Sequence, residues 1–256
     1  MLLAVDIGNT NITYGLINSD DEVIGTFRIT TKLPRTSDEF GLHLMNFLTI
    51  HQVEKSDIED VIISSVVPKI MYAFTNSIRK YLNKEPMLVG PGIKTGISIK
   101  TESPKELGAD KIVDAAAVYG EYGGNALILD FGTATTYDYI DENGTFLYSC
   151  ISPGIEISAN ALWSMAAKLP EVEIQKPSTI LSKNTISSMQ AGIVYGYIGQ
   201  VEYIIKQFKK ELNKPDMKVI ATGGLGKIIY KETKMIDVYD ADLTFKGMKI
   251  IYDKNK

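Results

Sequence analysis

The segment Asp6-Ile7-Gly8-Asn9-Thr10-Asn11-Ile12-Thr13-Tyr14-Gly15-Leu16-Ile17 has a counterpart 124 residues later, Asp130-Phe131-Gly132-Thr133-Ala134-Thr135-Thr136-Tyr137-Asp138-Tyr139-Ile140-Asp141. Four apolar residues precede each copy. Each copy then carries Asp, Gly two positions on, small polar residues and a β-rich return strand. A self-match at nearly half the chain length is too long a period for a solenoid and points to a duplicated domain. We therefore expect an α/β chain of two similar domains, 1–120 and 121–256, each opening with a three-strand meander followed by helices and further strands.

The rest of the sequence fits that plan. Strands are predicted at 2–5, 12–17 and 23–29, with the turn Asn18-Ser19-Asp20-Asp21 between the last two. Ser37 and Asp38 are expected to cap a helix over 38–51. A buried strand at 61–67 should lead into a helix that Pro68 opens. Residues 104–121 read as one helix. In the second half, strands are expected at 126–129, 137–140, 145–151, 218–221 and near 235–239. Helices are expected after Gly154, over 186–212, after Gly226 and from Leu243.

A hairpin turn with Gly presents successive backbone N–H groups, which form a concave anion site. Asn9, Thr10, Thr133 and Thr135 add polar side chains to it. A carboxylate beside bound phosphate repels it unless a cation intervenes, so Asp6 and Asp130 imply metal ions. Mg²⁺, which keeps its own waters, is the natural candidate. Two such hairpins facing across a cleft would clamp a polyphosphate from both sides. The turn before the predicted helix at 226, Thr222-Gly223-Gly224-Leu225, could admit adenosine or could be only a tight connection. Gly108-Ala109-Asp110-Lys111 could be an ordinary charged first turn of a helix, or a base beside its cationic partner.

Several classes are excluded. The formal charge of −4 gives no electrostatic footprint for nucleic acid. No apolar run approaches a membrane span, and the start of the chain lacks the cationic region of a signal peptide, so a cytoplasmic protein is expected. A single cysteine, Cys150, permits no internal disulfide. His43 and His51, the two histidines, read as surface residues on a helix rather than as metal ligands. No Walker A loop is present, because Ala221 stands where its first Gly is needed. Asp130-Phe131-Gly132 matches a protein-kinase motif whose partner motifs are missing. Aspartic proteases need a small polar residue between Asp and Gly, where this chain has Ile7 and Phe131.

Further motifs stand in order along the chain: Ser64-Ser65-Val66-Val67-Pro68, Gly90-Pro91-Gly92-Ile93-Lys94-Thr95-Gly96, Ser152-Pro153-Gly154-Ile155, Ala167-Lys168-Leu169-Pro170 and Lys183-Asn184-Thr185. With the two hairpins and Gly108–Lys111, they make the chain resemble the type III pantothenate kinases of the acetate and sugar kinase/Hsp70/actin superfamily. The resemblance implies two ribonuclease H-like, actin-like ATPase domains with a cleft between them, and ATP-dependent phosphorylation of pantothenate. It implies ATP contacts at Asp6, Ile7, Gly8, Asn9, Thr10, Asn11, Ile12, Thr13 and Thr133, and Asp110 as general base. It implies pantothenate contacts at Thr101, Gly108, Ala109, Asp110, Lys111 and Thr185. Asp130 matches a ligand for K⁺ or NH₄⁺, Asp6 is expected near Mg²⁺, and a homodimer is implied. The family usually has Arg where this chain has Lys111 and often Tyr where it has Thr101. Two rivals remain open: a kinase of the same superfamily acting on another hydroxyl compound, and a regulatory binding protein.

Overall fold

A computed structural model describes residues 1–256. It divides into two compact units, Met1–Tyr122 with Asp242–Lys256, and Gly123–Ala241.

In the first unit, β1 (Leu2–Ile7), β2 (Asn11–Ile17) and β3 (Val23–Thr30) form an antiparallel meander. After helix α1 (Ser37–Ile50), β4 (Asp60–Ser65) pairs parallel with β1. Helix α2 (Pro68–Leu82) and the short strand β5 (Met87–Leu88) follow, giving the sheet order β3-β2-β1-β4-β5. A two-residue strand, β6 (Ser98–Ile99), precedes α3 (Ala109–Tyr122). The apolar positions of β1 alternate between two cores, as the two-residue period of a strand requires. Leu3, Val5 and Ile7 pack with Phe40, Phe47 and Phe74 of α1 and α2. Leu2 and Ala4 pack on the opposite face with Val113 of α3 and with Met248 and Ile251 of the last helix, α7 (Leu243–Asn255).

That last helix departs from the expected 121–256 domain: α7 belongs to the first unit. It carries Leu243, Phe245, Met248, Ile251 and Tyr252 as one buried stripe. The α3 side of the first sheet needs that cover. Two local expectations also change. The cap of α1 is Thr36 rather than Ser37 or Asp38, because only Thr36 has Glu39 three residues on to complete a capping box. The single helix expected over 104–121 is broken. Pro104–Glu106 make one 3₁₀ turn, Leu107 is extended, and α3 starts only at Ala109.

The second unit repeats the plan. Strands β7 (Ala126–Phe131), β8 (Ala134–Ile140) and β9 (Thr145–Pro153) form a meander, and β10 (Lys218–Thr222) pairs parallel with β7 and with β11 (Val238–Tyr239). These five strands run in the order β9-β8-β7-β10-β11, which matches the five of the first unit. Helices α4 (Ile155–Met165), α5 (Thr185–Glu211) and α6 (Gly226–Tyr230) complete the unit. Leu127, Leu129, Phe131, Tyr137 and Tyr139 of the sheet share a core with Met189, Ile193, Tyr197, Val201 and Ile205 of α5. No helix is long and apolar enough to cross a membrane.

Candidate active site

In the first unit, β1 ends at Asp6 and Ile7, and Gly8-Asn9-Thr10 turn the chain into β2. The turn is fixed from several sides. The Gly8 N–H donates to Asn11 O (2.9 Å), the Thr31 N–H to Thr10 O (2.8 Å) and the Thr31 hydroxyl to Gly8 O (2.7 Å). The Val66 N–H donates to Ile7 O (3.1 Å), tying the turn to the end of β4. A turn held this way presents its backbone in a set geometry, which an anion site needs. The side chains of Ile7 and Ile12 are fully buried in the core, so only their main chain is available to a ligand.

Register places Ser64, Asp6, Thr13 and Arg28 in one cross-strand row. Burial pushes the Asp6 carboxyl up to about 7. The Asp110 carboxylate pushes it the same way, while Ser64 and Arg28 pull it back. Ser64 Oγ is itself buried and makes no hydrogen bond, so its pull on Asp6 is that of a nearby dipole. Arg28 is not apparent in the sequence. Its only signal is its distance from the Ile29–Thr30 end of β3, which has meaning only once the hairpin register is known.

Asp110 stands in the first turn of α3, where its Oδ1 accepts from the Lys111 N–H (2.8 Å). A helix N-terminus favours a carboxylate. Gly108 makes room for it: a Cβ there would lie 2.4 Å from Asp110 Oδ1. Thr101, upstream of α3, has its hydroxyl buried without a hydrogen-bond partner. The first unit thus holds the Asp6–Thr13 hairpin together with Thr101 and the Gly108–Lys111 segment.

In the second unit, Asp130 is the penultimate residue of β7, between Thr136 of β8 and Thr222 of β10. Gly132 and Thr133 make the turn, both exposed. Gly223 adopts φ +92°, and a Cβ on it would lie 2.6 Å from Asp130 Oδ1 and from the backbone of Phe131. Only glycine lets this strand-end loop approach so closely. Thr185 lies elsewhere in the unit, at the start of α5, whose cap Asn184 accepts from the Ser187 N–H (2.9 Å). It lines a cavity of about 620 Å³ with Ser182, Lys183 and Ser188, and neither Asp130 nor Thr133 takes part in that lining. Ser182 Oγ is buried there without a hydrogen-bond partner.

Two sheets that share a five-strand order, each with Asp near the end of its first strand and a Gly-containing turn, define the fold of the actin-like ATPases and sugar kinases. Solved structures agree on the fold. The chain is similar to a putative 2-dehydro-3-deoxygalactonokinase from Sinorhizobium meliloti (TM-score 0.61, 13% identity, 98% of this chain and 96% of that one). It is also similar to a putative Baf family transcriptional activator from Campylobacter jejuni (TM-score 0.62, 20% identity, 99% and 98%). The type III pantothenate kinase family model matches residues 2–207. A type III pantothenate kinase from Agathobacter rectalis is 58% identical over 254 residues, covering 99% of this chain and 97% of the relative. The chain belongs to the type III pantothenate kinase family, and is thereby a phosphotransferase.

Proposed function

We propose that the chain moves the terminal phosphoryl group of ATP onto the primary hydroxyl of pantothenate, giving 4′-phosphopantothenate, the first step toward coenzyme A. The observation that carries this reading is the pairing of Asp6 with Asp110 within one unit, close enough for each charge to be felt by the other. Like charges so placed are unfavourable alone. They become favourable when a cation faces one and a hydroxyl donor faces the other.

The residues fit a divalent ion held mostly by phosphate and water. Asp6 is an oxygen ligand in need of a counter-charge, and no group of three or more His, Cys, Asp or Glu forms a protein cage. Mg²⁺ there would neutralise phosphate charge. The Gly8–Thr13 backbone and Thr10 orient the phosphates. Asp110 accepts the hydrogen of the pantothenate hydroxyl and takes its proton late in attack, as suits a loose phosphoryl-transfer transition state. Lys111 pairs with the pantothenate carboxylate, with Thr101, Gly108 and Ala109 around the substrate. Asp130, a single carboxylate walled by backbone groups, suits K⁺ or NH₄⁺ better than a divalent ion.

A cytoplasmic homodimer fits the same reading. Met165, Ile180, Leu181 and Ile186 are all exposed on the second unit, apolar side chains that a second copy of the chain would cover.

A coupled ADP-release assay in potassium buffer tests the proposal. Turnover should require pantothenate, and equal ADP release without it, or preference for another alcohol, overturns the reading. Asp110→Asn should keep nucleotide binding while kcat falls about 10³-fold, within the range of general-base catalysis. Near-normal turnover in that variant removes Asp110 from the mechanism.

A further inference from the structure

The far end of α7 is tied to a loop far upstream in sequence. The Asn255 carboxamide makes a reciprocal pair with the backbone of Lys94. Its Nδ2 donates to Lys94 O (2.8 Å), and its Oδ1 accepts from the Lys94 N–H (3.0 Å). Nδ2 also donates to Ile251 O (2.7 Å), which fixes the carboxamide on its own helix. The neighbouring Lys254 lies across Gly96, which has φ +82°, and its Cε occupies the space 2.4 Å from where a Cβ would stand. Ile93 and Ile97 pack against the cluster that contains Met248, Ile251 and Tyr252. The loop at 90–97 is therefore seated on the end of α7 by side chains and backbone together.

The other side of α7 grips α3. A Cβ on Gly247 would fall 2.1 Å from Val113 O, so the two helices touch backbone to backbone. The Thr244 hydroxyl donates to the buried Asp114 carboxylate (2.8 Å). Between these two anchors run residues 98–108, which include Thr101 and Gly108 and lead to Asp110. One helix thus fixes both ends of the segment assigned above to pantothenate.

We infer that Asn255 is a positioning residue: by holding Lys94 to α7 it sets where the 98–111 segment stands, and so sets affinity for the phosphoryl acceptor. The inference rests on the assignment of pantothenate to that segment. A loop released at one end samples more conformations, and a substrate must then select the competent one. The cost appears as weaker apparent binding of that substrate alone.

The test compares Asn255→Ala and Asn255→Asp with the unaltered chain. Asn255→Asp keeps the acceptor for the Lys94 N–H and loses both donated bonds. The pantothenate KM should rise about 10-fold in the alanine variant and by less in the aspartate variant, with the ATP KM and kcat within about two-fold in both. Backbone amides of residues 93–101 should exchange with deuterium faster in the free alanine variant, while those of β1 and β7 keep their rates. A pantothenate KM that does not move overturns the inference. So does a parallel loss of kcat, both KM values and thermal stability, which marks a structural role only. Lys111→Ala, measured alongside, separates the two readings. If it raises the pantothenate KM while Asn255→Ala does not, the positioning role of Asn255 is wrong and the acceptor assignment stands. If neither moves it, the acceptor assignment falls as well.

Discussion

The two hairpins share a backbone and differ in what surrounds their aspartates. Both first strands read buried, buried, buried, buried, half-buried, buried, with the half-buried position being Asp6 in one and Asp130 in the other. Both return strands show one pattern as well. The turns differ by one residue, Gly8-Asn9-Thr10 against Gly132-Thr133. Asp6 looks toward a second carboxylate and a distant arginine, whereas Asp130 is walled by the backbone of a glycine loop. Duplication has kept the strand-end scaffold and let the neighbours diverge, so the first hairpin is electrostatically incomplete and the second is sterically closed. Substitutions at matched positions should therefore fail for different reasons.

Glycine replacement gives the largest contrast. Gly223→Ala puts a Cβ at φ +92° and 2.6 Å from Asp130 Oδ1 and from Phe131 backbone atoms that cannot swing away. Left-handed strain and a backbone clash together should cost about 3 kcal/mol or more. At Gly8 the added Cβ meets only Asn11 O, at 3.3 Å, and no positive φ is required. Gly8→Ala should cost less than about 1 kcal/mol of stability. Urea unfolding of the two variants checks the pair, and equal losses would mean that the glycine loop does not wall the second hairpin as described.

The charge at Asp6 gives the next effect, and its sign follows from linkage. The folded-state pKa of about 7 lies above the usual 3.8, so the native state holds its proton more tightly than the unfolded chain. Stability should therefore fall as pH rises from about 4 to about 7 and stay lower above that. Asp6→Asn removes the ionisation and with it the penalty. Without nucleotide or divalent metal, the variant should melt about 3 °C higher than the parent at pH 8, and the two curves should converge only below about pH 4, where Asp6 is protonated in the folded and the unfolded chain alike. Thermal scans in a chelator across that range measure the difference. A variant that melts lower than the parent at pH 8 would show that Asp6 is not destabilised in the free protein.

The hairpins are legible in the amino-acid sequence because Asp-x-Gly after an apolar strand recurs with its return strand, and the turn chemistry is local. Helix starts are nearly as legible, but Thr36, Ser37 and Asp38 can all cap, and the choice falls to Glu39 at a distance that favours only Thr36. The return of α7 to the first unit is not legible. Its buried stripe does not itself name the sheet it covers; it packs on Leu2, Ala4 and Val113, with the backbone contact at Gly247 and the Asn255–Lys94 pair beside it, all remote in sequence. Arg28 escapes for a related reason. It joins the Asp6 row only through two strand registers, and registers are set by turn lengths that the sequence leaves uncertain by a residue. Within the site, Asp6 and Asp110 both stand in readable motifs, while their mutual repulsion is a property of the folded unit alone.

The smallest effect separates the cores behind the hairpins. Tyr14 and Tyr137 are both fully buried, each on the second strand of its meander, and neither hydroxyl makes a hydrogen bond. Tyr14 sits among Phe27, Phe47 and Phe74, with ring centroids 5.8–6.2 Å away; burial pushes its pKa up and the Arg35 charge pulls it back. Tyr137 is also shifted, to about 12, but Gln200 and Ser152 lie beside it, and those two bond to each other at 2.8 Å. A small rotation would let either reach the Tyr137 oxygen, whereas Tyr14 is acted on by the Arg35 charge and by no side-chain hydrogen-bonding group. A buried hydroxyl without a partner costs more than a shape-conserving apolar replacement. Tyr14→Phe should therefore stabilise the protein by about 1 kcal/mol, and Tyr137→Phe should change stability by less than about 0.5 kcal/mol in either direction. Paired denaturation curves resolve the two. A loss on Tyr14→Phe would mean that the first core supplies its tyrosine with a partner, leaving the cores alike and confining the divergence of the halves to the strand ends.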